Sequence, residues 1–211
     1  MEQTIQRVPC GSVNAYLVAR GEDAILVDTG QRKYRDRVLA ACRPYRMRLL
    51  VLTHGHIDHA ENAAFLSEAL GIPVAMHWED IPLLENNLAQ PLEAESLPGK
   101  VVLAVSLGMM RASHMAPFRP EVLLSEGDSL DEYGVSARVL EVPGHTRGSI
   151  AIDAGGRELI VGDALMNMLY PSVSLLYHDR EKMEQSATRI LGMTGRTIWF
   201  GHGKPLKNED W

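Results

Sequence analysis

Strand-like and helix-like segments alternate through the first part of the chain, and this alternation restricts the possible folds more than any other feature of the sequence. Helical spacing of apolar residues predicts helices at 31–43 and 58–70, the second ending at Gly71. Short apolar segments predict strands before, between and after these helices: SVNAYLVAR (12–20), AILVDTG (24–30), RLLVLTH (48–54) and IPVAMH (72–77). Strands and helices in this succession predict an α/β sandwich.

The strand pattern returns in the second half of the chain. Apolar segments predict further strands at 121–124, 135–142, 149–154 and 157–164. Gly155-Gly156 has the composition of a hairpin turn between the last two of these strands. An amphipathic helix is expected at 180–192, and a short strand and loop at 196–203. Because no linker divides the sequence, we expect one domain over residues 1–211.

Residues 86–120 interrupt this order without a clean helical or strand period. Prolines break the segment repeatedly: Pro91, Pro98, Pro117 and Pro120. The segment is nevertheless more apolar than a disordered stretch, with Met109, Met110 and Phe118 among its residues. Long irregular segments in compact domains are often functional. We therefore predict an inserted, lid-like segment, either a covering loop or a short helix.

The composition excludes several functional classes. The net charge is −6 and the isoelectric point is near 5.7, so the chain has no basic surface for a nucleic-acid backbone. No apolar run reaches the ~18 residues of a membrane span, and the first residues lack the pattern of a signal peptide. Cys10 and Cys42 are too few for a disulfide framework. We expect a cytoplasmic protein with a small-molecule substrate, while its oligomeric state cannot be predicted.

The motif HGHIDH at residues 54–59 places three histidines and an aspartate between a predicted strand and a predicted helix. Ligand sites in open α/β sheets lie beyond the carboxyl ends of the strands. Imidazole and carboxylate groups suit zinc, iron or manganese. In such a turn, His54 and His56 can point one way while Asp58 and His59 point another. The motif therefore predicts ligands for two adjacent metal ions.

One turn cannot complete two coordination shells, so further ligands must come from elsewhere in the chain. His145 in PGHT, Asp163 in VGDA and His202 in FGHG each follow a predicted strand. Any one of them alone would be read as a solvated loop residue, a turn residue or a helix cap. Together with HGHIDH they predict one site at a common edge. The remaining histidines, His77, His114 and His178, share no such context and are assigned to no metal.

The set HGHIDH, PGHT, GD and GHG, in this order, resembles the metallo-β-lactamase-fold hydrolase superfamily, and AILVDTG resembles an early strand and turn of that family. The resemblance covers nearly the whole chain and implies a four-layer αβ/βα sandwich with a two-metal site at one edge. It implies that the ligands divide between the metals as follows: His54, His56 and His145 for the first, Asp58, His59 and His202 for the second, and Asp163 bridging both. Asp28 is similar to a family carboxylate that orients a ligand, although a turn residue would also fit that position.

The ligand set, which contains no cysteine, resembles the glyoxalase II-like and lactonase-like branches of the family more than the lactamases. Nine residues follow His202, which leaves no room for the helical domain with which glyoxalase II enzymes bind glutathione. Homoserine lactonases have a tyrosine soon after the bridging aspartate. Here Met166 has the near position and Tyr170 lies further on, and both are candidates for the substrate pocket.

The resemblance implies two divalent metal ions, zinc in the first instance, with iron or manganese as alternatives. The expected activity is hydrolysis of a small thioester, ester or lactone by a metal-bound hydroxide, with Asp58 accepting a proton. Two enzymatic alternatives stay open, an iron-dependent oxidoreductase similar to persulfide dioxygenases and a phosphodiesterase. A binding module without metals is a third alternative, against which the complete ligand set argues.

Overall fold

A computed structural model describes residues 2–209. The first of its β-sheets contains the amino-terminal strands. These strands are β1 (Gln3–Cys10), β2 (Val13–Arg20), β3 (Asp23–Val27), β4 (Arg46–Val51), β5 (Val74–His77) and β6 (Val122–Leu124). They lie side by side in chain order. Strands β1 to β3 pair antiparallel, whereas β3 to β6 pair parallel. The carboxyl ends of β3, β4 and β5 therefore meet at one edge of the sheet.

The second sheet contains the carboxyl-terminal strands. These are β7 (Ala137–Glu141), β8 (Ile150–Ala154), β9 (Glu158–Ile160), β12 (Thr197–Trp199) and β13 (Leu206–Lys207), and β10 (Leu165–Asn167) and β11 (Pro171–Val173) form a separate small hairpin. The order in the second sheet is β13-β12-β9-β8-β7. Strands β9 and β12 are parallel neighbours, so their carboxyl ends also lie at one edge.

Helices connect these strands. They are α1 (Arg35–Cys42), α2 (Ile57–Ala60), α3 (Ala63–Leu70), α4 (Ile81–Glu85), α5 (Leu97–Ala112) and α6 (Arg180–Leu191). The helix expected at 58–70 is divided into α2 and α3 around residues 61 and 62, and it ends at Gly71, whose φ of 64° is the left-handed conformation of a helix terminator. No helix within residues 2–209 is long and apolar enough to cross a membrane.

Three apolar clusters separate the layers of the molecule. Along β4, Leu50 belongs to the cluster beneath α1 and α3, whereas Val51 belongs to the cluster between the two sheets. Along β8, Ile152 faces the first sheet, whereas Ala151 belongs to the cluster beneath α6. Successive strand residues point to opposite faces, so both sheets are covered on both sides. This order of helix, sheet, sheet and helix confirms the four-layer αβ/βα sandwich.

The inserted segment contains the longest helix of the described chain, α5, although the sequence shows no clean period there. Pro98 lies in the first turn of α5, where a proline fits, rather than breaking a helix. Ser96 caps the helix by accepting a hydrogen bond from the Gly99 N–H. Apolar residues are exposed on α5 beside Lys100 and Arg111, with Leu97 and Val101 80% and 66% exposed. Apolar residues at exposed positions weaken the amphipathic period of a helix.

Strand β1 and the β10–β11 hairpin were not predicted. Strand β1 is an edge strand in which exposed polar residues alternate with partly buried ones, and it includes Pro9, which is disfavoured in central strands. Strands β10 and β11 have only three residues each, too few to show a period. The Gly155-Gly156 turn is confirmed, with φ values of 64° and 70°.

Candidate metal centre

The predicted ligands meet at the edge where the carboxyl ends of the parallel strands come together. Each follows a strand: Asp28 follows β3; His54, His56, Asp58 and His59 follow β4; His145 follows β7; Asp163 follows β9; and His202 follows β12. Backbone hydrogen bonds join the two sheets beside this edge, from Ile150 N–H to the Thr53 carbonyl and from Asn14 N–H to the Gly201 carbonyl. The candidate ligands therefore come from strand ends of both sheets.

His54, His56 and His145 form the first group of potential metal ligands. One ligand atom from each lies within 4.8 Å of the others, and all three side chains are buried. His56 Nδ1 and His145 Nε2 are only 2.9 Å apart. The three rings stand nearly perpendicular to one another, with centroids 4.8–4.9 Å apart. Three nitrogen atoms therefore converge on one small volume.

Asp58, His59 and His202 form the second group. One ligand atom of each again lies within 4.8 Å of the others. Asp58 Oδ2 is 3.4 Å from His202 Nε2 and 3.9 Å from His59 Nε2. His54 and His59 lie at the boundary of the two groups, with ring centroids 4.2 Å apart. The two groups are therefore immediate neighbours.

Asp163 lies between the two groups and faces both. Its Oδ1 is 3.3 Å from His59 Nε2. Its Oδ2 is 3.2 Å from His202 Nε2 and 3.7 Å from His145 Nε2. Each group therefore contains a histidine nitrogen within 3.7 Å of an Asp163 oxygen.

Hydrogen bonds at Nδ1 fix the orientation of most of these histidines. His59 Nδ1 donates to Asp28 Oδ2 at 2.8 Å, His145 Nδ1 to the Leu176 carbonyl at 2.8 Å, and His202 Nδ1 to the Ser12 carbonyl at 2.8 Å. His54 Nδ1 lies 3.1 Å from Thr53 Oγ1, which in turn bonds to Asp28. A proton on Nδ1 leaves the lone pair of Nε2 free, as metal ligation requires.

Several buried atoms in this cluster have no hydrogen-bond partner within residues 2–209. They are Nε2 of His54, His56 and His59 and Oδ1 of Asp163. Buried polar atoms are nearly always hydrogen-bonded, so a group of unpartnered ones needs an explanation. Imidazole nitrogens and a carboxylate oxygen that converge in this way fit a metal site.

The two groups differ in their electrostatics. Burial, reinforced by His145, lowers the pKa of His56 to about 3, and burial with the neighbouring histidines also holds the pKa of His54 well below its usual value. Burial acts in the same direction on His202, but Asp163 and Asp58 outweigh it and raise the pKa of His202 to about 10. In the metal-free protein, His54 and His56 are therefore neutral, whereas His202 holds a proton that a metal would displace.

Asp80 connects the loops that contain His56 and His145, and it was not predicted as a site residue. Its fully buried carboxylate accepts hydrogen bonds from the Gly55 N–H at 2.9 Å, the Thr146 hydroxyl at 2.7 Å and the Gly148 N–H at 2.8 Å. These donors belong to the loops that contain His56 and His145. The only indication in the sequence was an aspartate shortly after the predicted strand at 72–77, which is common in turns.

Gly201 lets the last loop approach the cluster. A Cβ atom at this position would lie 2.2 Å from Asp163 Oδ1 and 2.8 Å from His59 Cε1. The loop is held by β2, because Asn14 Nδ2 donates to the Phe200 and Gly203 carbonyls and the Tyr16 hydroxyl donates to the Phe200 carbonyl. The absence of a side chain at residue 201 is therefore a requirement of the site.

A cavity of about 270 Å³ opens onto the cluster, and α5 forms one of its walls. Met166, a predicted pocket residue, lines this cavity. Tyr170, the other predicted pocket residue, is not among the residues that line it and is 66% exposed. None of the metal-ligand groups found within the described residues includes His77, His114 or His178. His77 instead hydrogen-bonds with Glu141 and the Glu79 N–H.

Comparisons with known proteins agree with this geometry. The family model described as the metallo-beta-lactamase superfamily matches residues 8–202. A hydroxyacylglutathione hydrolase of Anaeromyxobacter dehalogenans is 32% identical over 150 residues, which are 71% of this chain and 45% of that protein. This chain therefore spans less than half of that relative.

Solved structures share the fold. The crystal structure of TTHA1623 in a di-iron-bound form is 28% identical, with a TM-score of 0.67 over 93% of this chain and 90% of that one. The B3 metallo-beta-lactamase BLEG-1 is 20% identical, with a TM-score of 0.75 over 98% of this chain and 95% of that one. At that identity, the second likeness concerns the fold alone.

Proposed function

Since the chain belongs to the metallo-beta-lactamase superfamily, we propose that it is a metal-dependent hydrolase of small ester-like substrates: thioesters, esters or lactones. The observation that carries this proposal is the position of Asp163 between two groups of ligands. Its Oδ1 faces His59, and its Oδ2 faces His145 and His202. This arrangement suits a carboxylate shared by two cations.

We assign the ligands in accordance with the two groups. His54, His56 and His145 would hold the first metal and Asp58, His59 and His202 the second. Asp163, which contacts histidines of both groups, would be shared between them. Asp28 orients His59 through the hydrogen bond to Nδ1. We propose zinc as the metal. The same ligands accept iron or manganese, and TTHA1623, one of the similar solved structures, has a di-iron-bound form.

Two bound metals would supply a water molecule of lowered pKa as the nucleophile and would polarise the substrate oxygen. The protein itself positions the reactants. Asp58 lines the cavity, and the neighbouring His59 and His202 hold its pKa below the usual value against the effect of burial, so it is present as a carboxylate. A carboxylate at the cavity wall can accept the proton that the attacking water loses. The apolar α5 wall would exclude other water from the reacting bond.

The relation to a hydroxyacylglutathione hydrolase supports thioesters as the first bond type to examine. The described residues offer three overlapping groups of potential ligands, enough for two cations. The iron-dependent oxygenase alternative uses the same types of ligand, so metal content and oxygen uptake with a persulfide distinguish it from the hydrolase.

A panel of thioesters, esters, lactones and phosphodiesters, assayed with zinc, manganese or ferrous iron, tests this proposal. We expect hydrolysis of at least one carboxylic ester class, and its loss in His54→Ala. His178→Ala is the matched control, because His178 lies outside the ligand groups and bonds to Arg147 and Pro91. Oxygen consumption with a persulfide, and no hydrolysis, would instead establish the oxidoreductase alternative.

A further inference from the structure

The cavity beside the metal centre has a lining that restricts which acyl groups can enter it. We infer that the substrate carries an uncharged aliphatic acyl chain, which lies against α5 while its carbonyl carbon faces Asp163. This inference deepens the proposed hydrolase function and rests on it for the placement of the reacting bond. It identifies α5 as the element that sets specificity.

The cavity lining other than the metal cluster is predominantly apolar. Its walls come from three segments: α5, the loop before it and the β10–β11 region. Their apolar side chains include Leu92, Val102, Met110, Met166 and Leu176. Methionine side chains adapt to chains of different shape. The lining therefore suits an aliphatic group without fixing a single length.

The absence of basic residues restricts the choice of acyl group more than the apolar lining does. Among the described residues that line this cavity there is no lysine or arginine. The titratable lining groups belong to the metal cluster at one end, and the remaining polar groups are hydroxyls of Ser12, Ser106 and Ser174. A carboxylate at the far end of the acyl chain would lie against this apolar lining with no lysine or arginine of the cavity to pair with it, and any hydration that it loses there would be uncompensated. Acyl groups with a distal negative charge should therefore be rejected.

The exposed apolar residues of α5 show where the chain would lie. Val101, Val105 and Met109 follow one another at a spacing of four residues, so they share one face of the helix. All three line the cavity, yet they are 66%, 59% and 40% exposed. Contiguous exposed apolar surface usually marks a binding site. Because this face continues directly into the cavity that opens on Asp163 and His202, an acyl chain attached to the reacting carbonyl is the occupant that fits both.

A pair of substrates with equal chain length isolates the charge. Hexanoyl and adipoyl thioesters of the same thiol differ only in the distal carboxylate of the adipoyl group. We expect kcat/KM for the hexanoyl thioester to be at least about tenfold higher. In Val105→Lys, an ammonium group on the cavity face should reduce or reverse this preference. Ala104→Lys is the matched control, since Ala104 is the neighbouring exposed residue on α5 and does not line the cavity.

Binding of the corresponding thioethers, S-hexyl and S-(5-carboxypentyl), separates this inference from the proposed function because neither compound can be hydrolysed. Calorimetry on the metal-loaded protein should show tighter binding of the S-hexyl compound, and Val105→Lys, but not Ala104→Lys, should remove the difference. That pattern without hydrolysis of any thioester, ester or lactone would support the acyl site while overturning the hydrolase proposal. Equal binding of both compounds, or equal effects of the two lysine variants, would overturn the acyl-chain inference.

Discussion

Asp28 Oδ2 lies 2.8 Å from His59 Nδ1, inside a fully buried pair that positions one of the proposed metal ligands. Asp28 also accepts hydrogen bonds from the N–H and hydroxyl of Thr53, so its carboxylate joins the ends of β3 and β4. Within residues 2–209, it is the one non-glycine residue with a positive φ, 59°. Such a backbone conformation is unfavourable for most side chains, although aspartate and asparagine tolerate it. This turn places the Asp28 carboxylate within hydrogen-bonding distance of His59 Nδ1.

Asp28→Asn should therefore weaken metal binding without unfolding the protein. Asparagine keeps the size of the side chain and tolerates the positive φ, but the neutral amide holds the His59 ring less firmly. We expect metal affinity to fall about 10–100-fold, as is usual when such a supporting partner is changed. Competition with a chromophoric chelator measures this, and Asp36→Asn on the exposed surface of α1 is the control. Unchanged affinity would show that the Asp28 charge has no part in the site.

Asp80→Asn tests whether the loops of His56 and His145 depend on a common buried anchor. The Asp80 carboxylate acts only as an acceptor, and its donors include the Gly55 N–H and the Thr146 hydroxyl. An amide would turn an NH₂ group toward some of them, and each unsatisfied donor costs about 1–3 kcal/mol. We expect chelator-treated protein to lose stability of that order in urea unfolding, together with weaker metal binding. A loss of stability with metal affinity intact would limit Asp80 to a structural role.

Gly201→Ala should displace the bridging carboxylate. The new methyl group would lie 2.2 Å from Asp163 Oδ1, so either Asp163 or the loop must move. We expect reduced metal content and reduced hydrolysis with the fold retained by circular dichroism. Gly192→Ala is a matched control, because a Cβ atom there meets its nearest neighbour at an ordinary 3.4 Å. If both variants bind metal equally well, the close approach of Gly201 is not needed.

The stability of the metal-free protein should fall in alkaline solution because of His202. Its folded-state pKa is raised to about 10 from an ordinary value of 6.5. A raised pKa means that the stabilising contribution is complete below about pH 6.5 and is lost as the pH rises through about 10. Bound metal replaces the proton, so the metal-loaded protein should lack this dependence.

Unfolding midpoints between pH 6.5 and 10.5, measured with chelator and with metal, test this expectation. Burial raises the pKa of Cys42 to about 12, which also lowers stability above its usual value of 9. His202→Asn isolates the contribution of His202, because those of Cys42, Cys10 and His59, whose pKa values are also raised, remain. An identical pH dependence in His202→Asn and the unchanged protein would refute the role assigned to His202.

The sequence predicts the fold and the candidate ligands well for a physical reason. Short motifs at the ends of parallel strands must meet at one edge, so HGHIDH, His145, Asp163 and His202 could be grouped without coordinates. Their grouping in the structure follows from strand direction within each sheet and from the packing of the two sheets, which places the two edges side by side. Which of these residues bind metal stays a prediction.

Other features depend on distant contacts and could not be predicted. Asp80 holds two loops together because one of its donors, Gly55, follows a strand of the first sheet and the other, Thr146, follows a strand of the second. Gly201 matters because of its distance to Asp163, and nothing in its local sequence shows that distance. Helix α5 was not recognised because apolar residues such as Leu97 and Val101 are exposed on it, which weakens the amphipathic period that predicts a helix.

The central claim is a shared carboxylate between two metal ions, and elemental analysis tests it most directly. Purified protein should contain two divalent metal ions per chain after saturation and removal of excess metal. Asp163→Asn should bind fewer metal ions. Asp153→Asn should bind the full number, because Asp153 lies on β8 and its carboxylate accepts a hydrogen bond from Arg196. One metal per chain in the unchanged protein, or full occupancy in Asp163→Asn, would contradict the dinuclear centre.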